Sequence, residues 1–470
     1  MNDIQKKRLI TVLIIIMSMF VALIVYLSYF QFFKADEYKK SSKNRRNNIE
    51  QQSVKRGSFY DRNGEILAYS EEMGSNAKRI YSYPRLYSHI IGYSYKDLGK
   101  SALELRMNDY LLNNYEPGIV SAARKYFQDI DTGCSIYLTI DTVLQKKTHQ
   151  LMKDHKGAAI CMNPTTGEIY SMVSMPDFDP STLKENWEEI NKDSTSPLYN
   201  RALNGLYPPG SVFKTITATS LMEHQEIDKN YEHTGKQVID GYTFHDPIDK
   251  QLGNIGLNDA FRLSLNTYFV SKSMDLGANN LGKTAEEFMF NQKIPFDLGI
   301  KVSKFDYTTK MTKTELASSA IGQGRVLSTP MNMLMSTSAI ANGGKIVKPG
   351  LIKKIESFDE KTIKEFKTEE LTQAVSPIIA EQIKEMMVEV VKNGTGKNAG
   401  LKNVQVAGKT GTAQTAGENN AWFIGFAPAD NPVVAVVVVL EKEEGSGGKD
   451  AAPIARDIIS TALNNLSTIQ

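Results

Sequence analysis

Three short segments hold side chains that could carry out nucleophilic chemistry together. In YPPGSVFKTITAT, from Tyr207 to Thr219, Ser211 and Lys214 stand three residues apart where two prolines and a glycine give way to a run that reads as helix. That spacing puts both side chains on one helical face. A serine hydroxyl is a weak nucleophile until a base takes its proton. A lysine amine can be that base only when burial among apolar groups disfavours its charged form, and the apolar neighbours of Lys214 suit that requirement. Backbone N–H groups at a helix start can also stabilise a developing oxyanion. Further on, RLSLNTYF supplies Ser264 and Asn266 in an S-x-N triplet, and KTGT places Lys409, Thr410, Gly411 and Thr412 in an expected strand. Singly, each has a plainer reading: Lys214 snorkelling from a helix, Ser264 as a helix cap, Lys409 solvated on a strand.

Other chemistries find less support. AGKTGT contains the G-K-T of a phosphate loop, but the glycine that loop needs is replaced by Asn403. GQGRVL, at Gly322 to Leu327, begins like a dinucleotide fingerprint and lacks its third glycine. Neither H-E-x-x-H nor G-x-S-x-G occurs. The two cysteines, Cys134 and Cys161, are too few for a disulfide scaffold or a zinc cluster; a single bridge between them is disfavoured by the lack of any motif spacing. The six histidines form no ligand pattern and read as surface or satisfied core residues. A net charge of +2 leaves no footprint for nucleic acid. No cofactor or metal is expected.

The elements that must position these residues can be outlined from the hydrophobic pattern. Leu9 to Phe33 is free of charge and long enough to cross a bilayer as a retained anchor. Lys6, Lys7 and Arg8 precede it, but Lys34, Lys39, Lys40, Lys43, Arg45 and Arg46 follow, so the charges alone do not fix its orientation. Residues 34–150 are polar, with strand-like fragments and turns such as DRNGE. GAAICMNPTTGEIYSMVSMP reads as a hairpin, and VQVAGKTGTAQ, AWFIGFAP and PVVAVVVVL as three more strands. The last is apolar throughout, as a strand covered on both faces requires. Helices fill the middle, and AAPIARDIISTALNNL closes the chain as a helix. The expected class is α+β, an antiparallel sheet flanked by helices.

S-x-x-K, S-x-N and K-T-G in this order match the set found in penicillin-binding proteins and serine β-lactamases. Leu265 stands where that set has aspartate. RGSFYDRNGEILA, LTIDTVLQ, PLYNRALNGLYPPGSVFK and AIGQGRVLSTPMNM extend the likeness over most of the chain beyond residue 50. The chain thus resembles a class B penicillin-binding protein, a bitopic peptidoglycan D,D-transpeptidase. The resemblance implies a cytoplasmic tail at 1–8, an anchor at 9–33, a pedestal at 34–150 and a transpeptidase domain with a five-stranded antiparallel sheet at 151–470. It implies Ser211 as nucleophile, Lys214 as base, Ser264 as proton relay, Asn266 on a substrate amide and Lys409 as support for the relay. Thr410 and Thr412 would meet the substrate carboxylate, with Gly411 leaving room for substrate. The implied partners are stem peptides, β-lactams, the membrane and a SEDS-type polytopic glycosyltransferase, with the catalytic domain outside the cell. The alternative is a membrane-anchored serine β-lactamase or β-lactam sensor, although no E-x-x-L-N pattern for a deacylating loop is present.

Overall fold

The structure, a computed structural model, describes residues 2–31, 54–71, 78–115, 132–224, 231–248, 250–415 and 418–466. The uncharged run forms one helix, Asp3–Tyr29, with no buried side chain. By length and composition it can cross a membrane. The last two residues of the expected span and the basic residues from Lys34 to Arg46 lie outside the described residues.

Five antiparallel strands form the central sheet in the order Ala407–Thr415, Glu418–Ala427, Val434–Glu443, Gly157–Met162 and Ile169–Met175. Chain order and spatial order differ because the hairpin at 157–175 enters from the far side, where Val437 pairs with Ile160. The run PVVAVVVVL lies at the middle of this sheet, and its side chains alternate between two cores. Val437 and Val439 join Ile160, Met331 and Met335 on one face. Val436 and Val438 join Leu144, Met152, Ile454 and Ile458 on the other. The first face is covered by helix Pro330–Ala341, the second by helices Thr142–Met152 and Ala452–Leu466. Burial on both sides explains the absence of any polar residue from Val434 to Leu440.

A second sheet has six strands in the order Thr362–Glu365, Ile352–Glu356, Ser135–Leu138, Phe59–Tyr60, Ile66–Ser70 and Arg79–Tyr81. Two of its strands come from chain far beyond residue 150, so the sheet ties the N-terminal segment to the later one. Beside it, Glu104 is fully buried between Arg56 at 2.6 Å and Arg79 at 2.7 Å. A buried carboxylate is tolerated only with such charged partners. Cys134 and Cys161 are buried and form no disulfide; Cys134 Sγ donates to Asn113 Oδ1 at 3.9 Å.

Candidate active site

Ser211 lies in a 3-10 turn, Gly210–Phe213, and the α-helix that follows begins at Lys214 itself. The turn is clamped from three sides. Trp422 Nε1 donates to Pro208 O at 3.1 Å, the Tyr207 and Ser328 backbones exchange hydrogen bonds, and Gly210 N–H donates to Gly322 O at 2.8 Å. Gly210 has a φ of +57°, a conformation that favours glycine. A Cβ on Gly322 would lie 2.1 Å from Gly210 O, so the first glycine of GQG lets the backbone approach the turn. Ser211 is half-buried, and its hydroxyl has no hydrogen-bond partner among the described residues.

Lys214 is wholly buried. Its Nζ donates to Ser264 O and Asn266 Oδ1, both at 2.8 Å, and lies 3.4 Å from Ser264 Oγ. Lys409, also wholly buried, donates to Ser264 Oγ at 2.9 Å and Thr410 O at 3.2 Å. Ser264 therefore stands between two amines. It is held there by a φ of +58°, at the bend between helices Leu257–Arg262 and Asn266–Glu287. The Phe269 ring centroid lies 5.3 Å from Lys214 Nζ and that of Phe261 5.5 Å from Lys409 Nζ, so each amine faces an aromatic ring.

Burial, with the Lys409 charge beside it, drives the Lys214 pKa well below the usual lysine value, against a raising effect from Asp246. Burial alone brings Lys409 down to about 7. A neutral amine has two N–H groups and one lone pair. In the neutral form the two 2.8 Å bonds account for both N–H groups at Lys214; a protonated amine would have Ser264 Oγ, at 3.4 Å, as its third acceptor. No cluster of three or more His, Cys, Asp or Glu able to hold a metal occurs among the described residues.

The sequence-named residues do not all converge. Lys214, Ser264, Asn266 and Lys409 share one hydrogen-bonded cluster, and the turn of Ser211 packs against the KTGT strand. A Cβ on Gly411 would lie 2.9 Å from Pro209 O and 3.0 Å from Val212 Cγ1, so the missing side chain admits the Ser211 turn. Thr410 points away from the lysine pair, with Oγ1 2.6 Å from Thr395 Oγ1. Thr412 is exposed, and its Oγ1 accepts from Gly447 N–H at 3.4 Å. Sequence reasoning missed Thr395, Asp246 and Thr267, which carry no motif signal. It noted the GQG block without its contact to Gly210.

A nucleophile turn, a buried lysine pair bridged by one serine, and an edge strand on an antiparallel sheet define a serine acyl-transferase site. Comparison with known proteins agrees. The family profile of the penicillin binding protein transpeptidase domain matches residues 157–460, and that of the penicillin binding protein A dimerisation domain matches 56–134. The chain is 30% identical to the peptidoglycan D,D-transpeptidase PbpA of Mycolicibacterium smegmatis, over 96% of this chain and 98% of the relative. It is 29% identical to the peptidoglycan D,D-transpeptidase MrdA of Haemophilus influenzae, over 82% and 69% respectively. The imipenem acyl-enzyme complex of penicillin-binding protein A from M. tuberculosis superposes with a TM-score of 0.82 at 29% identity, covering 88% of this chain and all of that one. The chain belongs to the class B penicillin-binding proteins.

Proposed function

We propose that this protein cross-links peptidoglycan stem peptides through an acyl-enzyme on Ser211 and is acylated at the same residue by β-lactams. The observation that carries the reading is Lys214, wholly buried, held at 2.8 Å by Ser264 O and Asn266 Oδ1, and driven by burial well below the usual lysine pKa. In this reading Lys214 takes the Ser211 proton as Oγ attacks the carbonyl carbon of the penultimate D-Ala. Backbone N–H groups of Ser211 and Thr412 would hold the oxyanion. As the C–N bond breaks, Ser264 gives its proton to the departing D-Ala amine and takes the one held by Lys214, 3.4 Å away, with Lys409 supporting the relay. An acceptor amine then attacks the ester, forming the new amide and returning the proton to Ser211. Asn266 and Thr412 are the proposed substrate contacts, and Thr410 joins them only if its hydroxyl leaves Thr395.

The substrate lies outside the membrane, so residues 1–8 are assigned to the cytoplasm, 9–33 to the anchor, 34–150 to the pedestal and 151–470 to the external transpeptidase domain. A SEDS-type glycosyltransferase, reached through anchor and pedestal, completes the proposed assembly. Gel labelling with a fluorescent penicillin tests the reading. The parent chain is expected to label and Ser211→Ala to fold without labelling; a labelled Ser211→Ala variant would move the nucleophile elsewhere.

A further inference from the structure

Behind the lysine pair lies a buried charged cluster that the acylation chemistry leaves unused. His233, at the end of strand Tyr231–His233, and Asp246, just after strand Tyr242–His245, meet at 2.9 Å between Nε2 and Oδ2, with both side chains fully buried. Asp246 accepts two more hydrogen bonds, from Thr267 N–H at 2.9 Å and Thr267 Oγ1 at 2.6 Å. Thr267 directly follows Asn266 in the first turn of helix Asn266–Glu287. The residue before Asp246 holds Asn266 itself: Asn266 Nδ2 donates to His245 O at 2.7 Å. That bond fixes which end of the amide faces Lys214, since only the oxygen can accept from the lysine.

The tautomer in this cluster follows from its hydrogen bonds. Leu252 N–H donates to His233 Nδ1 at 3.3 Å, so Nδ1 is an acceptor and the ring proton sits on Nε2, directed at Asp246. The imidazole thus donates to the Asp246 carboxylate, the acidic member of the pair. The groups facing Lys214 are Ser264, Asn266 and Phe269 from the S-x-N segment and its helix, Lys409 from the KTGT strand, and Asp246 from the hairpin. Asp246 in turn faces His233, Thr267 and Tyr231. Of these, Asp246 is the group that acts on the lysine with negative charge.

We propose that the His233–Asp246 pair is a positioning device for acylation, fixing the Asn266 amide against Lys214 and holding the Asp246 carboxylate behind the lysine. Burial and a second ammonium both work against protonation of Lys214, and a base that binds its proton too weakly is a poor catalyst. A fixed carboxylate one layer back offsets part of that loss without itself touching substrate. The proposal rests on the assignment of Lys214 as base.

The test uses the full-length chain in detergent and the second-order rate constant for acylation by benzylpenicillin across the acid and neutral range. Asp246→Asn removes the charge. Its acid limb is expected to move to lower pH by roughly half a unit or more, with a several-fold lower plateau. A limb that coincides with the parent's would overturn the electrostatic part. Should Asp246→Asn not fold, Thr267→Ser and Thr267→Val separate the positioning part. Serine keeps the hydroxyl donor and is expected within about twofold of the parent; valine is expected to fall by roughly tenfold, about one hydrogen bond. Equal rates in folded serine and valine variants would overturn the positioning. A parent chain that benzylpenicillin fails to acylate would instead contradict the proposed function, so the two failures are distinguishable.

Discussion

Lys214 is the residue on which the chemistry turns, because a buried ammonium is stabilised only by groups that can accept from it or oppose its charge. Here burial disfavours the charged form, and the Lys409 charge nearby adds repulsion to an ammonium at Lys214. Lys214→Arg keeps a cation but cannot provide a neutral base, since guanidinium stays protonated. Its acylation rate is expected to fall by about 10²–10⁴, the range typical of lost acid–base help. Stopped-flow or quenched acylation by nitrocefin checks this, and a near-parental rate would transfer the role to another group such as Lys409. In the parent, only the deprotonated amine is competent, so acylation should rise with pH along a limb displaced far below that of an ordinary lysine. The residues of this cluster were legible in sequence because their types and order are rare in combination. Thr395, Asp246 and Thr267 were not. Their partners arrive from segments 15 to 21 residues away, and a single threonine or aspartate has no distinctive spacing.

At the scale of elements, the KTGT strand is held between two tight backbone approaches. Pro209 and Val212 press on it at Gly411 from one side. From the other, Gly447 sits so close that a Cβ there would lie 2.2 Å from Trp422 O and 2.3 Å from Gly411 O. Both are backbone atoms of strands locked in register, Gly411 opposite Trp422, so neither can yield as a side chain tip would. Gly447→Ala is expected to destabilise the protein by about 1–3 kcal/mol, as overpacking does, and to slow acylation by shifting the strand from Ser264. Thermal unfolding and the acylation rate, measured together, check both effects; an alanine variant with parental values in each would show that the segment can move aside freely. The strands themselves were readable from apolar runs and turn residues. The pairing of Ile352–Glu356 with Ser135–Leu138 was not, because short amphipathic strands reveal neither their partner nor the distance along the chain at which they find it.

For the whole molecule, one apolar helix precedes a six-stranded and a five-stranded sheet, each built from strands far apart along the chain. The length of the uncharged run made that helix legible, while the basic residues on both sides left its direction open. The proposed chemistry requires the sheets to face outward. Protease added to wall-stripped intact cells is expected to degrade the chain beyond residue 35, read by immunoblot against an N-terminal tag; full protection would reverse the topology and remove access to the substrate. The central claim concerns a covalent ester at Ser211 that water does not quickly remove. Intact-mass spectrometry of the full-length chain after a short benzylpenicillin pulse, followed by peptide mapping, tests it most directly. The account predicts a single penicilloyl group on the peptide containing Ser211, outlasting many times over the roughly 0.1 s of a median enzyme turnover. An adduct on another residue, or one lost within seconds while nitrocefin is consumed catalytically, would contradict it.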